Sequence, residues 1–274
     1  MDLVVRAYDT LFYERADARV KDWPLMRSPW PLLAIILTYL ILIKVLLPAY
    51  MRNRKPYHLK TVIKWYNITQ IVANAVVTWG ILTSGWLTTY HLGCMLPDYS
   101  TKPEPLRMLR FLWWTIMLKM LELLETMFFI LRRKQSQASF LHVYHHVSSL
   151  IIIWAAVKYV GGGITSFSPL INNAVHVIMY TYYLLSSEGS PALKALLGKY
   201  KKWITIMQMI QFTIMIIYSS QVFLPSCPAS LGITYLYFPN VFFVYYMFYN
   251  FFKKNYKKKE HNGNCKNGMR HKIA

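Results

Sequence analysis

Apolar residues gather along this chain in seven long runs, each followed by a short polar connection. At the length of about 20 residues that an α-helix needs to cross a bilayer, the runs fall at Pro31–Tyr50, Thr61–Leu82, Met108–Leu131, His142–Val160, Ser166–Ser186, Trp203–Leu224 and Leu231–Phe252. The pattern predicts an all-α integral membrane protein with seven transmembrane helices. The connections leave no room for a separate soluble module. The expected organisation is a short N-terminal segment at 1–30, a seven-span domain at 31–252 and a basic tail at 253–274. Met1–Pro29 is polar and mixed in charge, so it does not read as a cleaved leader with an apolar centre.

Composition and charge sharpen this picture. Of 274 residues, 55% are hydrophobic, and the formal net charge is +20. The first, third and fifth connections and the tail carry most of the Lys and Arg, including Arg52, Arg54, Lys55, Arg132, Arg133, Lys134, Lys194, Lys199, Lys201 and Lys202. Lys158 falls among the few basic residues on the opposite side. The positive-inside rule then puts the C-terminus in the cytosol and, after seven spans, the N-terminus in the lumen. Because the basic residues flank spans, anionic headgroups and water satisfy them, and no nucleic-acid partner is implied. That orientation puts Cys94 and Cys227 on the luminal side and Cys265 in the cytosolic tail. Two cysteines together in an oxidising compartment suggest a Cys94–Cys227 disulfide.

Within the spans, polar residues recur at helical spacing. His142, His145 and His146 stand at i, i+3 and i+4, so one helical face carries all three imidazoles. Lys119, Glu122 and Thr126 share a face of the third run, with Glu125 beside Glu122. Asn172, His176, Met179 and Tyr183 form a stripe along the fifth, and Thr205, Gln208 and Gln211 step by three along the sixth. Ionisable groups at membrane depth are costly, so such clusters mark either a functional site or ion pairs and hydrogen bonds between helices. For Lys119 with Glu122, and for the Gln208–Gln211 seam, the structural reading is at least as strong as direct chemistry.

In their order along the chain these motifs resemble the ELO family of very-long-chain fatty-acid elongases. The family's HxxHH box is matched by His142, His145 and His146. Its KxxExxDT motif is matched by Lys119, Glu122 and Thr126, and its NxxxHxxMYxYY motif by Asn172, His176, Met179, Tyr180, Tyr182 and Tyr183. Its TxxQxxQ motif is matched by Thr205, Gln208 and Gln211. Glu125 stands where the family has aspartate, and Lys199-Tyr200 precede Lys201 and Lys202 where the family often has a Trp pair.

The resemblance implies a 3-ketoacyl-CoA synthase, condensing a long-chain acyl-CoA with malonyl-CoA and releasing CO2 and CoA. It implies seven helices in a barrel around an acyl-chain tunnel, in the endoplasmic reticulum membrane. No bound cofactor or metal is expected, and the two CoA thioesters are substrates. His145 is the expected nucleophile and His176 its base or oxyanion donor, with His142 and His146 orienting the site. Expected substrate contacts are Lys119, Glu122, Thr126, Asn172, Tyr180, Tyr183, Gln208 and Gln211, with Lys201 and Lys202 holding CoA phosphates. Direct attack without an acyl-enzyme remains open. Besides membrane lipids, the expected partners are the ketoacyl reductase, dehydratase and enoyl reductase of the elongation cycle and a second copy of the chain. Arg270 and Lys272 resemble an imperfect dilysine-type retrieval signal. Two other classes fit less well. A di-iron desaturase or hydroxylase needs more ligands than the four intramembrane histidines. A seven-span receptor would not need the buried Lys, Glu and His.

Overall fold

The computed structural model describes residues 2–229 and 232–257. Among them the chain is all-helical, with no strand. Cys265, Arg270 and Lys272 lie outside the described residues, as do Lys258, Lys259 and Lys266. A short helix α1 (Asp2–Asp9) precedes an irregular segment. The long rods then follow as α2 (Trp30–Ile41) continuing into α3 (Leu47–Met51), α4 (Lys60–Ile81), α5 (Pro103–Glu122) continuing into α6 (Leu124–Leu131), α7 (Phe140–Val160), α8 (Phe167–Glu188), α9 (Pro191–Ser219) and α10 (Thr234–Phe252).

Four of these stretches are long and apolar enough to cross a membrane on their own: Trp30–Met51, Lys60–Trp86, Phe140–Val160 and Pro191–Phe223. The other three expected spans are also long helices. Their apolar character is diluted by Lys119, Glu122 and Glu125 in α5 and α6, by Asn172, Asn173 and His176 in α8, and by tyrosines, Pro239 and Asn240 in α10.

Local chemistry accounts for the irregularities. Pro48 lacks an N–H, and the turn at Leu42–Leu46 before it widens to a π-type turn, continuing the rod through the missing donor. At Leu123 the backbone ladder shortens to a bond from its N–H to the Met120 carbonyl, 3.2 Å, which separates α5 from α6 between Glu122 and Glu125. The connection expected at 187–202 is mostly helix. Ser190 caps α9, accepting from the Leu193 N–H, and Pro191 occupies the first turn. Only Gly189 and Ser190 separate α8 from α9, so Lys194, Lys199, Lys201 and Lys202 ride on a helix rather than a loop.

Neighbour contacts run from α4 to α8, α9, α10, α7, α5 and back to α4, and α3 packs beside α6. Segment 15–30 crosses the ends of α5 and α7. Trp113, Trp154 and Lys158 donate to the carbonyls of Pro24, Leu25 and Met26 at 3.0, 2.8 and 2.6 Å. Lys158 is therefore a buried clamp and not a solvated flanking charge. Arg19 bridges Asp17 to the carbonyls of Asp98 and Ser100. Cys94 and Cys227 form a disulfide between the segment after α4 and the segment after α9, with 5.6 Å between their Cα atoms.

Candidate active site

α5, α6, α7 and α8 bring the motifs to one place. Glu122, fully buried, is the centre. Its carboxylate accepts from Lys119 Nζ at 2.8 and 3.0 Å. His176 Nδ1 of α8 stands 2.9 Å from one of its oxygens, at an angle that makes a close polar contact rather than a linear hydrogen bond. His146 of α7 lies between two carboxylates, 3.6 Å from Glu122 and 3.8 Å from Glu125. Glu122 thus meets one cation and two imidazoles, and Glu125 an imidazole and the Tyr66 hydroxyl, so each charge meets an opposite charge or a dipole, the condition on which buried ions persist.

Thr126 fixes the edge of the cluster. Its hydroxyl meets His142 Nε2 at 3.0 Å and the Tyr39 hydroxyl of α2 at 2.7 Å. The rings of His142 and His146 stand 4.3 Å apart, as i and i+4 on one helical face do, whereas His145, 5.5 Å from the His146 ring, turns away from that face towards the cavity, so the three imidazoles do not share a single face. Tyr180, fully buried, packs edge-on to His176 and Tyr66.

His145 differs from the other three histidines. Half-buried like His142, it alone has its ring edge-on to Phe212 and Phe248 and lines a cavity of about 430 Å3. Lys119 and Asn172 share that lining. His142, His146 and His176 do not. From His145 the wall follows α7 past Ile152 and Ala156 to Val160, about 22 Å at the rise of an α-helix. The opposite end is lined by Leu96, Pro97, Pro228 and Ala229, which follow the two cysteines of the disulfide closely in sequence. The lining is dominated by apolar side chains of α7, α9 and α10, the character expected of a pocket for an apolar ligand.

Other expected residues sit further out. Gln208 donates to Met179 Sδ at 3.3 Å and Gln211 to Met215 Sδ at 3.6 Å. The first bond joins α9 to α8, the second stays within α9, and neither side chain lines the cavity. Tyr183 is 39% exposed, whereas Tyr180 in the next turn is sealed. Lys201 is exposed on α9, and Lys202 lies over the Phe252 ring at 5.8 Å.

A ladder on α4 also belongs to the site and escapes the motif reading. Asn74 donates to Gln70, Gln70 to Tyr66, and Tyr66 to Glu125 at 3.4 Å. Its signal is polar residues at i, i+4 and i+8 in an apolar helix. Asn173, one residue beyond the expected Asn172, donates to Thr115 at 3.1 Å. Glu125, His142 and His146 offer donor atoms within 4.8 Å of one another, a spacing a metal ion could bridge.

Comparison with known proteins decides the family. The profile described as the GNS1/SUR4 family, ELO, matches residues 24–264. The chain belongs to the ELO family. It is 37% identical to very long chain fatty acid elongase 7 of Drosophila melanogaster, covering 95% of this chain and 80% of that protein. It is 39% identical to very long chain fatty acid elongase 1 of Mus musculus, covering 94% and 92%. The human elongase 1 is equally similar, at 39% over the same shares. The ELO family match spans all four motifs, so the likeness is not confined to the histidine box.

Proposed function

We propose that this chain works as the condensing enzyme of fatty acid elongation through a covalent histidine intermediate. The enzyme joins a long-chain acyl-CoA to malonyl-CoA as a 3-ketoacyl-CoA synthase, an activity that family membership and the named relatives support. The observation that carries the covalent reading is that His145 alone of the four histidines reaches the apolar cavity. An acyl chain lying in that cavity presents its thioester carbonyl to this imidazole.

A ring nitrogen of His145 attacks the carbonyl carbon, and the C–S bond breaks. CoA leaves as a thiolate, takes the proton from the other ring nitrogen, and an acyl-imidazole remains. Malonyl-CoA then loses CO2, and the electron pair of the broken C–C bond becomes an enolate. The enolate carbon attacks the acyl-imidazole, the C–N bond breaks, and the imidazolate takes a proton from solvent. Lys119, which lines the same end of the cavity, supplies positive potential or a hydrogen bond to the oxyanion, and His176, in contact with Glu122 just outside that lining, is the base for His145 or a second oxyanion donor when it turns to the substrate. His142 and His146 orient the face. Lys201 and Lys202 meet CoA phosphates as point charges.

In this reading the seven long helices all span the membrane and enclose the acyl tunnel as a barrel. The N-terminus is luminal, the tail cytosolic, and the endoplasmic reticulum the compartment. No cofactor takes part. The other elongation-cycle enzymes and a second copy are the expected partners.

Incubating purified protein with acyl-CoA alone tests the mechanism. One equivalent of CoA should be released before malonyl-CoA is added, with the acyl mass on the His142–His146 peptide and neither signal in His145→Ala. If CoA release needs malonyl-CoA from the outset, direct attack by the enolate replaces the acyl-enzyme.

A further inference from the structure

The cavity wall is not uniformly apolar. Ser168 of α8, Ser219 at the end of α9 and Tyr237 of α10 bring three hydroxyls to it. The Ser168 and Tyr237 hydroxyls are 2.9 Å apart, and Ser219 lines the same cavity. Hydroxyls on apolar helices usually turn back onto their own backbone. Ser149 and Thr165, which also line the cavity, do so, bonding to the carbonyls of His146 and Val160. The trio has no such bond among the described residues. The Ser168 and Tyr237 hydroxyls carry two protons, and the single link between them uses one. One O–H donor and several lone pairs are left facing an apolar space.

Against an unsubstituted methylene chain that donor is desolvated and unpaired, which is unfavourable. Against a hydroxyl on the chain it is satisfied. Ser168 lies two turns along α8 from His176, about 12 Å at helical rise, and so well away from the reacting carbonyl. Asn172, one turn from Ser168 on the way, adds an amide to the same wall.

The geometry points to a specificity subsite. Ser168, Tyr237 and Ser219 receive a hydroxyl near the middle of the acyl chain, so mid-chain hydroxyacyl-CoAs are substrates that this protein selects over the plain chain of equal length. The inference rests on the acyl chain occupying this cavity. A site built to hydrogen-bond a hydroxyl discriminates against the analogue that lacks it, whereas a smooth apolar wall would only weakly disfavour the hydroxyl.

The test uses full-length protein in detergent with malonyl-CoA. The substrates are stearoyl-CoA and a positional series of monohydroxystearoyl-CoAs, from the carbon beside the carbonyl to the terminal carbon. Relative kcat/KM should peak for mid-chain positions, about tenfold above stearoyl-CoA, the size expected for one buried hydrogen bond. Tyr237→Phe combined with Ser168→Ala should remove the peak and leave stearoyl-CoA turnover unchanged or raised. The wild-type series is decisive even if the double variant does not fold. A flat series, or a monotonic fall with every hydroxyl, overturns the subsite and makes the trio a link between α8 and α10 only. Turnover of stearoyl-CoA in that same experiment keeps the elongase reading intact. Absence of turnover on every chain overturns both.

Discussion

Glu122 concentrates the energetics of the site, because Lys119 and two imidazoles lean on one fully buried carboxylate. Removing one partner of a buried pair leaves an uncompensated charge and typically costs about 3–5 kcal/mol. Glu122→Gln should therefore lower the unfolding temperature in detergent markedly. The combined Lys119→Met and Glu122→Gln variant should recover part of that loss while remaining inactive. An equal loss in the single and double variants would show that the pair is not coupled. The next carboxylate is more loosely held: Glu125 touches Tyr66 at 3.4 Å and His146 at 3.8 Å. Glu125→Asp, which restores the family residue, should keep the unfolding temperature within a degree or two and retain activity. The same Glu125, with His142 and His146, has the spacing of a metal ligand set. Elemental analysis of active protein should find well under one equivalent of zinc or iron, and a chelator should leave activity unchanged. Stoichiometric metal that leaves together with activity would overturn the metal-free reading. At this scale the sequence discloses much. Spacing alone puts Lys119 beside Glu122 and His142 beside His146. It does not say that His145 turns to the cavity while His146 turns to the carboxylates, because adjacent helix positions diverge by about 100° and the neighbours decide which direction is which.

Among the elements, α9 departs most from what its sequence suggests. Its apolar part begins near Trp203, yet the helix starts at Pro191, because Ser190 and Pro191 make a good start and Ala-Leu-Lys-Ala-Leu-Leu are strong helix formers. Lys194, Lys199, Lys201 and Lys202 thus stand on a rigid extension of a site helix. Charge on a rigid helix keeps a fixed position relative to the cavity mouth, which suits it to hold a CoA phosphate. Lys201→Ala combined with Lys202→Ala should raise KM for acyl-CoA severalfold with little change in kcat, and the effect should shrink as salt rises. A fall in kcat at constant KM would instead place these lysines in the chemical step. Hydropathy reveals α2 to α4, α7 and α9 readily. It is weakest for α5, α8 and α10, whose apolar runs are interrupted by the polar residues they bring to the interior. The α4 ladder of Tyr66, Gln70 and Asn74 is legible only once Glu125 is known to face it, since each residue alone reads as an ordinary interhelical hydrogen bond.

At the scale of the whole molecule, two devices join distant parts of the chain. Segment 15–30 is clamped by Trp113, Trp154 and Lys158. The Cys94–Cys227 disulfide spans 133 residues of sequence. Charge bias placed the two cysteines in one compartment, but the clamp was not legible, because it runs through backbone carbonyls that any residue could supply. The disulfide lies beside the end wall: Leu96 and Pro97 follow one cysteine closely, and Pro228 and Ala229 follow the other. Loss of a native disulfide costs about 2–5 kcal/mol in small soluble domains. Here the helices are held by their own packing, so the loss should fall mainly on the two linked segments. Cys94→Ala, Cys227→Ala and the double variant should all insert and fold, with a lowered unfolding temperature, and the double variant should be no worse than either single one. With Leu96, Pro97, Pro228 and Ala229 free to shift, the end wall should yield to a longer chain. The products of repeated elongation should then extend by one or more two-carbon steps beyond those of the wild type, while the initial rate on a chain short of the wall stays unchanged. An unaltered product distribution, despite a confirmed loss of the bridge and of thermal stability, would mean that the apolar packing of the wall alone sets the length limit.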